Sequence, residues 1–301
     1  MALEVSAAQA DGDRHVGAAS RSRLQQMRHL ARRKPLGAFG AVAMLLFILA
    51  AIFADVVAPF SPLEHGPARL ASPSTVHLAG TDQYGRDVLS RVIHGARTSL
   101  YVGVVATVLS MIPAVLLGMS SAYFGGWYDY LVQRFVDTIQ ALPGLVLLIT
   151  ILVILGPGLW NVIIALSFNR AIVGSRVMRG ATMAIKSEVY VEAALATGAT
   201  HLRLILRHLL PNIAPTIIVV YSLGFGTVIL SEASLSFLGY GIPPPTPSWG
   251  GMMAADGRSY MFGAPWMLWA PTLALAIVIF AVNMVGDAAR DVLDPRMRGA
   301  S

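Results

Sequence analysis

Lysine, histidine and cysteine are where nucleotide, metal or nucleophilic chemistry would be sought, and this chain offers few of them. Only two of its 22 basic residues are lysines, Lys34 and Lys186. A phosphate-cradling loop needs a glycine-rich backbone ending in Gly-Lys-Ser/Thr, so that amides and ammonium meet the phosphates together. Lys34 stands in Arg-Lys-Pro and Lys186 in Ile-Lys-Ser, neither preceded by glycine. There is no cysteine, which removes disulfides, thiolate metal sites and a cysteine nucleophile at once. Neither His-Glu-x-x-His nor Gly-x-Ser-x-Gly occurs, and all seven histidines avoid the interiors of the long apolar runs. The chain is expected to be no enzyme, with no catalytic residue, no metal site and no cofactor of its own.

Three polar segments carry spacing that suits contact rather than catalysis. In 178–212, Ser187 is placed to cap a helix through Glu188, Glu192, Ala193, Ala194 and Thr197, and Gly198 to end it. Thr200 then caps a second helix through Leu202, Leu206, Leu209 and Leu210, with Pro211 marking the approach to an apolar run. Small residues at Ala193, Ala194 and Ala196 let another surface come close, and Glu192 can pair with an arginine on it. An ordinary connecting helix is the other reading. A second segment is Gly80-Thr81-Asp82-Gln83-Tyr84-Gly85-Arg86-Asp87, and a third is the rigid Pro243-Pro244-Pro245-Thr246-Pro247-Ser248-Trp249. Asp82, Arg86, Asp87, Pro244, Pro245 and Trp249 are candidates for partner contact, with Trp249 also suited to anchoring at a membrane interface. Val88, Leu89, Val92, Ile93, Ala96 and Leu100 share one helical face, which predicts a short interfacial helix.

The elements that must position these segments are apolar. Of 301 residues 55% are hydrophobic and only 13% charged, and mean hydropathy is +0.65. Five stretches hold no charge at all: 35–54, 98–128, 138–169, 208–231 and 259–286. About 20 apolar residues cross a bilayer as a helix, so 138–169 is too long for one crossing. Gly156-Pro157-Gly158 divides it. Six spans result, near 36–57, 98–122, 136–155, 159–177, 213–233 and 265–288, in an all-α polytopic membrane protein. Pro113 and Pro143 are expected as kinks within spans, and Gly224 and Gly226 with Ser222 as close-packing positions. Asp55, Asp137, Glu232 and Asp287 fall at span ends, leaving Arg170 as the one deeper charge and no obvious ion relay.

Net charge is +6, and its placement sets orientation. With the N-terminus inside, 17 Lys and Arg lie on the cytoplasmic side and 5 outside. Both termini are thus expected in the cytoplasm. The basic tail 1–34, with Arg32-Arg33-Lys34 abutting an uncleaved first span, reads as topology rather than nucleic-acid binding. The chain divides into this tail, a 35–97 unit with the first span and an external loop, and a 98–301 core containing the loop at about 186–211.

Glu192-Ala193-Ala194-x3-Gly198, followed after nine residues by His208-Leu209-Leu210-Pro211, resembles the EAA loop of permease subunits in binding-protein-dependent ABC importers. The general pattern has Ile where His208 stands. Gly80-Thr81-Asp82-x2-Gly85-Arg86-Asp87, Leu235-Ser236-Phe237-Leu238-Gly239 running into the proline segment, and Asp287-x2-Arg290-Asp291-x-Leu293-Asp294-Pro295-Arg296 are similar to the C-type permease of dipeptide and oligopeptide importers. The resemblance covers about 35–298. It implies a type I importer fold and pairing with a second permease in a heterodimer. It also implies two ATP-binding subunits that carry the ATP and Mg, an extracytoplasmic solute-binding protein, and a place in the bacterial inner membrane. Glu192, Ala193, Ala194, Gly198, Leu210 and Pro211 would couple to the ATPase. Peptide is the expected cargo. Glutathione, nickel chelates or glycosides are the alternatives, with an ion-driven secondary transporter as the rival class.

Overall fold

The computed structural model describes residues 35–293. The basic tail 1–34 and the part of the C-terminal motif after Leu293 lie outside the described residues. In chain order the helices are α1 Pro35–Ile52, α2 Ala54–Val57, α3 Val88–Phe124, α4 Gly126–Gln140, α5 Gly144–Leu155 and α6 Leu159–Lys186. They continue with α7 Val189–Ala196, α8 His201–Leu204, a π turn at Ile205–Leu209, α9 Leu210–Phe237, α10 Trp249–Met253, α11 Ala255–Ser259 and α12 Trp266–Leu293. Among the described residues the one extended pairing is an isolated bridge between Thr81 and Asp87.

Apolar runs become helices because a helix satisfies its own backbone donors and acceptors, which lipid cannot do. Among the described residues, α1, α3, the His201–Phe237 run and α12 are each long and apolar enough to cross a bilayer, and the α4–α5 pair adds a fifth crossing if counted as one. The segment expected as a fourth span is α6, 28 residues long and packed along α3, but it carries Arg170, Arg176 and Arg179 and falls short on apolarity. Large apolar side chains project from the outside of the bundle at Phe39, Leu46, Val108, Leu116, Leu273 and Ile277, as a lipid-immersed surface requires.

Three expectations change. The third span is not one helix over 136–155. It breaks at Ala141–Pro143, where α4 and α5 meet at 89°, because Pro143 has no amide to continue the ladder. Pro143, expected as a kink, stands at this bend as the N-cap residue of α5. The stretch after Asp87 is not a separate interfacial helix. It is the first part of α3, which runs 37 residues without interruption through Pro113, far longer than a bilayer core demands. Ser187 does not cap α7; its hydroxyl donates to the Ala184 carbonyl oxygen at 3.0 Å, and Glu188 holds the cap position.

The bundle is built on the contact between α3 and α6, the most extensive helix pairing. Gly118 makes it close: a Cβ there would lie 2.2 Å from the Ser175 carbonyl oxygen and 2.8 Å from the Arg179 nitrogen. Helix α1 packs on α12 and α3, and Arg97 holds its end by donating from Nε to the Ala51 oxygen at 2.9 Å and from Nη2 to the Ile52 oxygen at 3.1 Å. Gly118→Leu should force α3 off α6 and cost about 1–3 kcal/mol or more, as overpacking of a filled interior does. A lowered unfolding temperature in detergent is the expected reading. Gly180→Leu, where a Cβ meets nothing within 4 Å, is the control and should melt like the parent.

Candidate functional site

Two ends of the bundle carry organised polar structure. At one end α7 leaves the bundle after Lys186 and returns through α8. Val191 is buried at 1% exposure and pins α7 to a core of Met178, Leu204, Leu209 and Ile213, and Ala194 is half-buried on the same side. Glu192 and Ala193 are exposed, and among the described residues the Glu192 carboxylate has no partner. The small face expected to be offered whole is thus divided, with Ala193 outward and Ala194 against its own core. Around them Val189, Tyr190, Leu195, Leu202 and Leu206 expose large apolar surface.

Gly198 has φ +83 with nothing near its Cβ position, so the glycine serves the turn and not a close contact. Thr200 caps α8, its hydroxyl accepting from the Arg203 amide at 3.4 Å. Leu210 is half-buried and Pro211 exposed at the start of α9. Pro211 does not break the chain. The π turn at Ile205–Leu209 widens the helix where a proline ring would clash with the Arg207 carbonyl, so α8 and α9 continue as one rod. Asn212 Nδ2 donates to the His208 oxygen at 2.6 Å beside it.

This end is tied to α3 by polar contacts that sequence spacing did not suggest. Tyr123 Oη and His201 Nδ1 are 2.6 Å apart. Lys186 Nζ donates to the carbonyl oxygens of Tyr123 at 2.7 Å and Ala122 at 3.2 Å, closing the C-terminus of α3 with a cation. The signal was a lone lysine at a helix end; its target 63 residues earlier is visible only in space.

At the other end the segments around 80–87 and 239–251 pack together. Asp82 accepts from Arg86 Nε at 2.6 Å and from the Arg86 amide at 2.9 Å, with Arg91 Nε 3.7 Å away. Asp87 caps α3, accepting from the Ser90 amide at 2.7 Å and hydroxyl at 2.8 Å, and it meets His77 Nδ1 at 3.0 Å. Asp82, Arg86 and Asp87 are all buried and bonded within the chain. Trp249 is no interfacial anchor. It is 2% exposed, donates from Nε1 to the Val92 oxygen at 2.9 Å, and lies on Gly95, whose missing Cβ would stand 2.8 Å from the indole. Pro244 and Pro245 are exposed at the rim of a cavity of about 470 Å³ that Asp82, Arg86, Arg91 and Pro157 also line.

Glu232 was read as a span-end charge, yet it is buried within α9. Its Oε1 accepts from Ser236 Oγ at 2.7 Å, and Ser236 Oγ in turn accepts from the Ile242 amide at 3.2 Å. The pair at i, i+4 was legible, but not the loop amide it holds. Among the described residues no group of three or more metal-ligating side chains occurs.

Residues 114–299 match the family model described as the binding-protein-dependent transport system inner membrane component, and residues 22–73 that of the N-terminal TM domain of oligopeptide transport permease C. The chain is 40% identical over 268 residues to the dipeptide transport system permease protein DppC of Alkalihalophilus pseudofirmus, covering 89% of this chain and 88% of the relative. It is 40% identical over 269 residues to the di/tripeptide transport system permease protein DppC of Pseudomonas aeruginosa, covering 87% and 88%. It is 38% identical over 276 residues to the glutathione transport system permease protein GsiD of Escherichia coli, covering 89% of each. The structure resembles a chain of the inward-facing MetNI methionine ABC transporter with a TM-score of 0.55 at 18% identity, over 68% of this chain and 96% of that one, which shows the fold.

The loop end depends on one indole. Trp249→Ala should cost about 3–5 kcal/mol by emptying a buried site and orphaning its hydrogen bond to Val92. The expected outcome is early protease cleavage within 239–265 at temperatures where α3 and α6 remain folded, followed by mass spectrometry of the fragments.

Proposed function

The chain belongs to the family of binding-protein-dependent transport system inner membrane components, the permease subunits of ABC importers, and on that premise we propose that it forms half of a path for short peptides across a bacterial cytoplasmic membrane. The carrying observation is the α7 segment: an exposed carboxylate, Glu192, beside Ala193 and ringed by apolar Val189, Tyr190, Leu195, Leu202 and Leu206, on a chain without a phosphate loop. That surface suits docking on an ATPase subunit that supplies the energy this chain cannot. Tyr123, Lys186 and His201 link it to α3, so displacement of α7 would be passed to the bundle.

In this reading a second permease completes the path, and two ATP-binding subunits with ATP and Mg seat on the α7 ends of the two permeases. A solute-binding protein delivers cargo to the opposite end, where Pro244 and Pro245 stand exposed. The 17-to-5 split of basic residues supports both termini and α7 on the cytoplasmic side. The names of the dipeptide and di/tripeptide relatives support a peptide cargo. The glutathione-transport relative supports a γ-linked tripeptide as the second reading.

Orientation is tested with single cysteines, since the chain has none. Cysteine at Thr200 should be shielded from an impermeant thiol reagent in whole cells, and cysteine at Thr246 should react; the opposite pattern defeats the topology. Coupling is tested on complexes that hold both permeases and the ATPase subunits. Gly198→Leu puts a side chain on a left-handed backbone, and Glu192→Ala removes the carboxylate's charge-assisted bond to the docked ATPase subunit, worth about 1.5–3 kcal/mol. Both variants should assemble, and both should lose most uptake and most binding-protein-stimulated ATPase activity. Variants that assemble and transport like the parent would leave α7 a mere connector.

A further inference from the structure

One half-buried positive charge stands near the middle of a bundle helix. Arg170 is the twelfth residue of α6, about 17 Å along the axis from Leu159. Its guanidinium reaches across to α9. Nη2 donates to the Val220 carbonyl oxygen at 2.8 Å, Nη1 to the Thr227 hydroxyl oxygen at 3.4 Å, and Cζ stands 5.4 Å from the centre of the Tyr221 ring. Nε is buried and has no partner. Among the described residues, the ion pairs of the chain do not include Arg170. The cation is held by neutral dipoles alone.

The fold makes room for it. A Cβ at Gly224 would fall 1.2 Å from Nη2, so the glycine admits the guanidinium to the side of α9. Beside it α9 shows a polar stripe at i, i+4 and i+7: Thr227 is exposed, and Ser231 and Ser234 are half-buried. Their hydroxyls bond to their own helix, to the oxygens of Gly224, Thr227 and Leu230. A face turned to lipid would be apolar. A polar stripe flanking an intramembrane cation marks a water-filled path, where such a charge pairs with something that passes or docks.

We propose that Arg170 is a carboxylate-binding residue on the translocation path, and that the carboxylate is the free one of the cargo. The inference rests on the peptide-import reading. Dipeptides, tripeptides and glutathione all carry a carboxylate, and a planar guanidinium is the side chain best shaped to receive one. Held by neutral groups, it takes the anion without first breaking an ion pair, and Thr227 and Ser231 bound the place the anion would occupy. An acidic residue of the second permease is the other anion able to neutralise Arg170, and the test separates the two.

The complete importer, with both permeases, ATPase subunits and binding protein, is reconstituted in proteoliposomes. Two cargoes are compared: a dipeptide and its C-terminal amide, the side chains being chosen so that titration shows the binding protein holds both. In Arg170→Gln the ratio of acid to amide uptake should fall about tenfold, the size expected for one charge-assisted hydrogen bond. Arg170→Lys, which keeps the cation, should restore most of that ratio. Since the binding protein is the same in every arm, its own preference cancels. An unchanged ratio overturns the proposal. So does equal loss for both cargoes, or a complex that Arg170→Gln cannot assemble and Arg170→Lys can, since either assigns the charge to an ion pair with the other permease. If the parent complex carries no short peptide at all, it is the peptide reading that fails.

Discussion

Everything in this bundle hangs on how closely α3 and α6 approach. Where Gly118 faces the Ser175 carbonyl, backbone nearly meets backbone, and a packed interior of that kind does not deform gradually. The contact sets the spacing of two rods, each longer than a membrane core. Both polar assemblies are built on their overhanging ends. Asp87 caps the start of α3 and gathers His77 and Ser90, while Lys186 closes its far end and draws in the segment that carries Glu192. Loops therefore stay where water or protein can satisfy them, and dispersion between small residues holds the middle.

The two ends differ in what they leave unsatisfied. At the 80–87 end nearly every charge is answered within the chain, and the buried acid–base cluster fixes the loop that enters α3. At the α7 end a carboxylate and a ring of large apolar side chains face outward with nothing of their own to meet. One end looks finished and the other looks like half of an interface.

Much of this was legible along the chain. Charge-free runs located α1 and the start of α9 within a few residues but missed the charged start of α3, most of α4 and the end of α6. Gly156-Pro157-Gly158 located the reversal before α6, and Gly198 and Thr200 located the turn after α7. What failed to show was whatever depends on distant partners. Pro143 marked where the chain would bend, but apolar run length cannot register the size of a bend, so the right angle between α4 and α5 did not show. Trp249 looked like a typical interfacial aromatic because its seat, Gly95, is 154 positions away. Asp82 and Arg86 looked available for a partner because burial is not a local property. Gly224 was marked as a packing glycine, yet the object packed against it is a guanidinium from α6.

The π turn at Ile205–Leu209 acts as a phase shifter. It inserts the equivalent of one residue into an otherwise continuous rod from His201 to Phe237, and one residue is about 100° of azimuth. The Thr227–Ser231–Ser234 stripe faces where it does because that offset lies between it and α8. If the wide turn tightens to α geometry, or slides by one position along the rod, the distal helix rolls about its axis while hardly changing its length. A π turn that tightened in this way would relate the α8 end to the bundle interior by rotation rather than by translation.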